Sequence, residues 1–139
     1  HKGDDLAFAL LFDMNALFES YVGDFIKKSF PSTILQHSEK HLVEEPKSFK
    51  LRPDIFLKGK FIADTKWKII SSKDDISQAD LYQLYAYGKK HECGKLHLIY
   101  PKIDGIKQES MNFKYYDEIR LEILYFDLEK DENNTNLLI

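Results

Sequence analysis

Residues 52–68, RPDIFLKGKFIADTKWK, change the hydrophobic rhythm of this chain from a helical period to a period of two. Phe49 to Leu57 and Phe61 to Ile69 read as two strands, and Lys58-Gly59-Lys60 is a short link whose glycine can take positive φ, so the pair is expected to form an antiparallel hairpin. Side chains alternate across a strand. Phe61, Ala63, Thr65 and Trp67 therefore form an apolar packing row, while Asp64 and Lys66 share the opposite face with Ile62 and Lys68. The charged pair is expected to face away from the main core. Asp54, which follows Pro53, comes close to Asp64 across the hairpin if its side chain takes that same face.

Upstream, Met14, Leu17, Phe18, Tyr21, Val22, Phe25 and Ile26 recur at i, i+3, i+4, i+7, i+8, i+11 and i+12, which predicts an amphipathic helix over Asp13 to Ser29 with Asp13 as its N-cap. Pro31 stops it, Thr33 to Ser38 reads as a short strand, and residues 39–48 read as a polar connection. Downstream, Ser71 to Asp75 is a polar loop, and Ile76 to His91 reads as a second helix packed through Leu81, Leu84, Tyr85 and Gly88. Gly94 is the expected stop of that helix. Lys95 to Tyr100, ended by Pro101, is a strand, and Ser110 to Tyr116 and Arg120 to Leu128 are two more. Residues 130–139 read as a solvated tail. This order predicts the α/β class: a mixed sheet flanked by helices, in one domain over residues 1–139.

Composition sets bounds on this picture. In 139 residues, 43% hydrophobic and 31% charged content supports a real core and argues against a disordered chain. No run approaches the roughly 18–20 apolar residues expected of a bilayer span, and the start, HKGDDLAFALLFDMN, lacks the layout of a secretory signal, so a cytoplasmic protein with no membrane partner is expected. Cys93 is the single cysteine and has no internal disulfide partner. A first residue other than Met suggests a piece of a longer chain. The net charge of −3 lacks the basic excess of a nonspecific nucleic-acid binder, but it decides little. A phosphodiester-cleaving site gathers carboxylates around metal, while lysines elsewhere contact phosphate.

The hairpin brings two carboxylates and an ammonium toward one place. Like charges at that spacing repel and raise each other's pKa, a cost that a divalent cation removes. Mg²⁺ is typically held by one or two carboxylates and substrate phosphate oxygens. Bound there, it activates water for attack on phosphorus, and a neighbouring lysine offsets the charge of the transition state.

Pro53-Asp54 followed by Asp64-Thr65-Lys66 resembles the PD-(D/E)xK signature of restriction-type nucleases. Together with DMNALFESYV (13–22), QADLYQLYAYG (78–88) and LIYP (98–101), the hairpin is similar, in order and spacing over residues 10–128, to the C-terminal nuclease domains of the McrC family. These are the cleavage subunits of McrBC-type, modification-dependent restriction systems. The resemblance implies a restriction-endonuclease-like fold and a Mg²⁺- or Mn²⁺-dependent endonuclease acting on double-stranded DNA, leaving a 5′-phosphate and a 3′-hydroxyl. It further implies that Asp54 and Asp64 bind metal, with the Thr65 carbonyl and Glu19 as added ligands, and that Lys66 is catalytic. Gln83 and Tyr87 match a QxxxY element, although Gln78 and Tyr82 have the same spacing on the opposite helix face. Lys68 and Lys73 are expected to hold phosphates. The resemblance also implies a partner, a GTP-driven AAA+ motor of the McrB type; the sequence shows no nucleotide-binding loop of its own, which is consistent with that division of labour.

Other readings stand beside this one. The fold could serve as a DNA-binding or assembly module without turnover, or as a repair or recombination nuclease of the RecB kind; a single cysteine excludes a four-cysteine iron–sulfur cluster. Taken singly, Asp54 fits an ordinary turn, Asp64 with Lys66 fits an exposed strand face, and Glu19 fits an exposed helix position. His91, Cys93 and His97 lack a fourth zinc ligand at regular spacing. Trp67, among lysines, fits core packing as well as base stacking.

Overall fold

The computed structural model describes residues 2–138. Helix α1 (Lys2–Ser29) is followed by strands β1 (Ile34–Leu35), β2 (Lys40–Val43), β3 (Ser48–Leu51), β4 (Ile55–Leu57) and β5 (Phe61–Thr65). Helix α2 (Gln78–Lys90) then leads to β6 (Lys95–Pro101), β7 (Met111–Lys114) and β8 (Arg120–Phe126). Six strands form one mixed sheet in the order β1-β4-β5-β6-β8-β7, and β2 and β3 form a separate two-stranded ribbon. The expected hairpin is β4–β5, antiparallel with Ile55 opposite Ala63, and Gly59 at its turn takes φ +77. Strand β6 pairs parallel to β5, as the α2 crossover between them requires, and also parallel to β8, which it reaches by way of β7. The α/β expectation therefore stands.

Each face of the sheet has its own core. On one face, Leu84 and Tyr87 of α2 pack with Ile62, Leu96, Leu98, Tyr100, Leu121 and Ile123. On the other, Phe18, Val22 and Ile26 of α1 pack with Ile55, Phe61, Ala63, Ile99, Leu124 and Phe126. Burying one such large apolar side chain is worth about 1.5–3 kcal/mol. Strand β5 lies between these cores with all five of its residues buried. This corrects the expectation that Asp64 faces away from the main core. Ile62, two residues earlier on the same face, is fully buried in the α2-side cluster.

Several boundaries also differ. The first helix starts at Lys2 rather than Asp13, because LAFALLF contains no residue that breaks a helix, and Asp13 stands inside it. By length and composition α1 is apolar enough to cross a membrane, contrary to the expectation that no such run exists; its second half is core, since Phe18, Val22 and Ile26 are buried. Leu17 and Tyr21, assigned to the buried stripe, are 62% and 42% exposed, so the contact with the sheet is narrower than the apolar face. The predicted strand over residues 49–57 is two strands, parted at Arg52-Pro53-Asp54, where proline has no N–H to give. Residues 39–48 contain β2 rather than only a connection.

Strand β5 stops at Thr65, and beyond it the Trp67 amide donates to the Asn15 side chain at 2.9 Å. At the end of α2 the left-handed residue is Glu92 (φ 51), not Gly94; the Cys93 amide returns to the Gly88 carbonyl at 2.9 Å and the Glu92 amide to the Lys89 carbonyl at 3.4 Å, a Schellman closure. The end of the chain is not a free tail. Asn134 is buried and its side chain brackets Asp127, accepting from that residue's amide and donating to its carbonyl, both at 2.8 Å, while Leu138 joins the α1-side core.

Candidate active site

Beyond the Ile55–Ala63 pair, the next opposed residues of the hairpin are Asp54 and Asp64. Here side chains replace the backbone ladder. The Asp54 amide donates to Oδ1 of Asp64 at 2.9 Å, and Oδ2 of Asp54 accepts from the Thr65 amide at 2.8 Å and the Thr65 hydroxyl at 3.1 Å. The Thr65 amide thus points toward β4, and in a strand a residue's carbonyl points to the same side as its amide. The Lys66 amide turns the other way, to the Ile99 carbonyl at 2.9 Å. Two carboxylates and one main-chain carbonyl consequently share the open end of the hairpin.

Around them lies a cleft of about 480 Å³ lined by Glu19, Gln36, Arg52, Lys66, Gln83 and Tyr87, among others. Glu19 reaches its rim from α1, where it accepts a hydrogen bond from Nε2 of Gln36. Nζ of Lys66 stands 3.6 Å from a carboxylate oxygen of Asp80 in the first turn of α2. The Tyr87 hydroxyl donates to the Arg52 carbonyl at 3.3 Å. Of the two Gln/Tyr pairs, Gln83 and Tyr87 are at the cleft, whereas Gln78 donates to the Tyr82 hydroxyl at 2.5 Å on the exposed face of the helix. Lys68 and Lys73 are not brought to the cleft: Nζ of Lys68 donates to the Asp75 carbonyl at 2.5 Å, and Lys73 lies in the turn before α2. The early end of β5 explains this, because the backbone leaves the sheet before Lys68.

Both hairpin acids hold their protons far more tightly than ordinary carboxyls. For Asp54 the chief cause is burial, followed by the Asp64 charge and a hydrogen bond with Glu19. For Asp64 burial again dominates, opposed by the Asp54 amide and the Lys66 charge and reinforced by Asp80 and Glu19. Burial and the charges of Asp64 and Asp54 also push the Tyr87 phenol upward.

This donor set fits a hard divalent cation. Among the described residues no three His, Cys, Asp or Glu side chains are grouped closely enough to hold a metal ion between them. Two carboxylates and a carbonyl, with Glu19 at the rim, suit an ion that keeps several waters. Sequence reasoning missed Asp80, Arg52 and Gln36. Asp80 was detectable, since positions 80, 83 and 87 share one helix face. Gln36 arrives because it follows β1, which pairs with β4, and its amide donates to the Asp54 carbonyl; sequence periodicity does not report which strands pair.

Comparison with family models matches residues 1–101 to the family described as the McrBC 5-methylcytosine restriction system component. The chain belongs to the McrBC family. The matched span contains every cleft residue named above. Among solved structures, the chain is similar to one in a half-complex from the tetradecameric assembly of Thermococcus gammatolerans McrB AAA+ hexamers with bound McrC. The TM-score is 0.59 at 18% identity, covering 83% of this chain and 28% of that one, so the likeness is one of fold and this chain spans just over a quarter of its counterpart. Comparison with curated proteins gives no match. The resemblance to the McrC family expected from the sequence stands.

Proposed function

We propose that this McrBC-family chain is a nuclease domain that hydrolyses DNA phosphodiesters with Mg²⁺ or Mn²⁺. The observation that carries this reading is the buried pair Asp54 and Asp64 facing each other beside Lys66 at the open end of one hairpin. Asp54, Asp64 and the Thr65 carbonyl would hold the ion, with Glu19 joining from the rim. When bound, the ion supplies Lewis-acid activation of water and charge neutralisation at phosphorus.

The chain's own residues do the rest. Lys66, aimed by Asp80, orients the attacking water and offsets charge on the pentacovalent phosphate. Gln83 and Tyr87 form the α2 wall of the cleft, and Tyr87 fixes the backbone just before Asp54. Double-stranded DNA is the substrate, and a GTP-driven motor of the McrB type is the partner that delivers it. Incubating the chain with DNA and Mg²⁺, with and without such a motor, should give nicked or cut product from the unsubstituted chain and none from Lys66→Ala. Equal cleavage by both would refute the assignment.

A further inference from the structure

The cleft has one cation that nothing yet accounts for. Lys66 is held by Asp80, but the exposed guanidinium of Arg52 has no carboxylate partner among the described residues and makes one side-chain hydrogen bond, from Nη2 to Oε1 of Gln36 at 2.5 Å. Resting on the nuclease reading above, we propose that Arg52 holds a DNA phosphate at the mouth of the cleft and that Gln36 is the residue that positions it.

Gln36 is built into this place at some cost. It is a non-glycine residue at φ 53, in the left-handed region that bulky side chains avoid. Strained residues persist where their surroundings fix them, often at functional sites. The surroundings here are specific. The Gln36 amide donates to the Asp54 carbonyl at 2.8 Å, Nε2 donates to Glu19, and Oε1 accepts from Arg52. One side-chain amide therefore spans a carboxylate and a guanidinium, which requires both a donor and an acceptor at its tip. Glutamate at this position would repel Glu19.

The electrostatics show what Arg52 faces. Glu19, Asp54, Asp64 and Asp80 surround a cleft that must admit a polyanion, and even with two of these acids screened by metal the approach needs positive charge. Arg52 spends one of its five N–H donors on Gln36 and keeps the remainder in a planar fork, the geometry that grips phosphate through two parallel bonds. Its backbone is held from the other side by Tyr87. A guanidinium with its backbone and one donor anchored loses less freedom when a phosphate arrives than a free one would.

The test is DNA binding by the chain, measured by fluorescence anisotropy with a labelled duplex in Ca²⁺ over a range of salt. Arg52→Ala should weaken binding about tenfold at low salt and lower the slope of log affinity against log salt by about one. Arg52→Lys should keep the slope and recover only part of the affinity. Gln36→Ala should weaken binding about threefold with the slope unchanged, because the charge remains but is no longer aimed. Thermal melts establish that each variant folds, and Arg52→Lys decides the matter if Arg52→Ala does not.

An unchanged salt slope for Arg52→Ala overturns the proposal, as does absence of DNA binding by the unsubstituted chain. Binding that depends on Arg52 without any cleavage breaks only the nuclease reading. Cleavage accompanied by binding indifferent to Arg52 breaks only this one.

Discussion

The Asp54 amide donates to the Asp64 carboxylate at 2.9 Å, while the Asp54 carboxylate accepts from the Thr65 amide at 2.8 Å, so each strand's acid completes the other strand's backbone. These acids fasten the hairpin as well as facing the cleft. Because burial raises both pKa values, the metal-free fold binds more protons than the unfolded chain above the ordinary carboxylate range. The resulting stability is fully present below about pH 4 and declines as pH rises toward the folded-state values. Asp54→Asn keeps an acceptor for Thr65 and is never charged. In EDTA, its melting temperature relative to the unsubstituted chain should climb between pH 4 and pH 8, by about 2–5 °C at the upper end. A difference that stays flat with pH would contradict the raised carboxyl.

The same protonation has a consequence for metal uptake. An arriving divalent ion must displace those protons, so calorimetric titration with Mg²⁺ or Mn²⁺ should show tighter binding as pH rises and proton release in proportion to it. The Asp54→Ala, Asp64→Ala double variant should show neither. Metal affinity independent of pH would remove the acids from the site.

Lys66 and Asp80 should separate chemistry from ion binding. Lys66→Ala should lower cleavage by about 100-fold or more while leaving metal affinity within about threefold. Asp80→Asn releases the ammonium without removing it and should cost roughly 3–10-fold in rate, largely restored by Asp80→Glu. A loss as large as that of Lys66→Ala, with no restoration, would mean that Asp80 acts directly at phosphorus or metal.

His97 gives a stability signature of opposite sign. It is fully buried on β6, and burial lowers its pKa to about 4. The unfolded chain therefore binds the extra proton first, and stability from this residue is lost as pH falls from about 6.5 toward 4. Replacing His97 with Leu should flatten that part of the melting-temperature profile, with the change of the difference between variant and parent with pH falling in this window. A difference that stays constant across it would reflect packing alone.

Two backbone positions on α2 test the fold behind the cleft. A Cβ on Gly88 would meet the Cys93 carbonyl oxygen at 2.9 Å and Leu96 at 3.3 Å, so Gly88→Ala should destabilise by about 1–3 kcal/mol. Glu92 holds φ 51 with an ordinary side chain, and Glu92→Gly should stabilise by a few tenths to about 1 kcal/mol. Chemical denaturation of both reads the two signs directly.

Much of this architecture was legible before any coordinates. The period-2 runs around Gly59 and the stripe through Phe18, Val22 and Ile26 report burial, and burial is what organised the sheet and helices. Asp54, Asp64 and Lys66 come together in the sequence reading because two of them follow the turn on one run and the third precedes it on the facing run. Strand alternation also misled. It placed Asp64 on a side away from the main core, whereas α2 and its cluster cover that face. Lys68 was misplaced because nothing local marks where β5 ends; that point is set by the distant Asn15 and Ile99. Gln36 and Arg52 meet through a loop whose path depends on tertiary packing, and no periodicity reports such a meeting.

Strand β5, enclosed on both faces, has one further consequence. It is the common wall of two hydrophobic compartments, so neither can loosen without disturbing the support of Asp64. The cleft wall outside both compartments is the segment just after β1, where the exposed Gln36 stands. On the nuclease reading, any adjustment to substrate is left to that rim, because shifting β5 would disturb both cores.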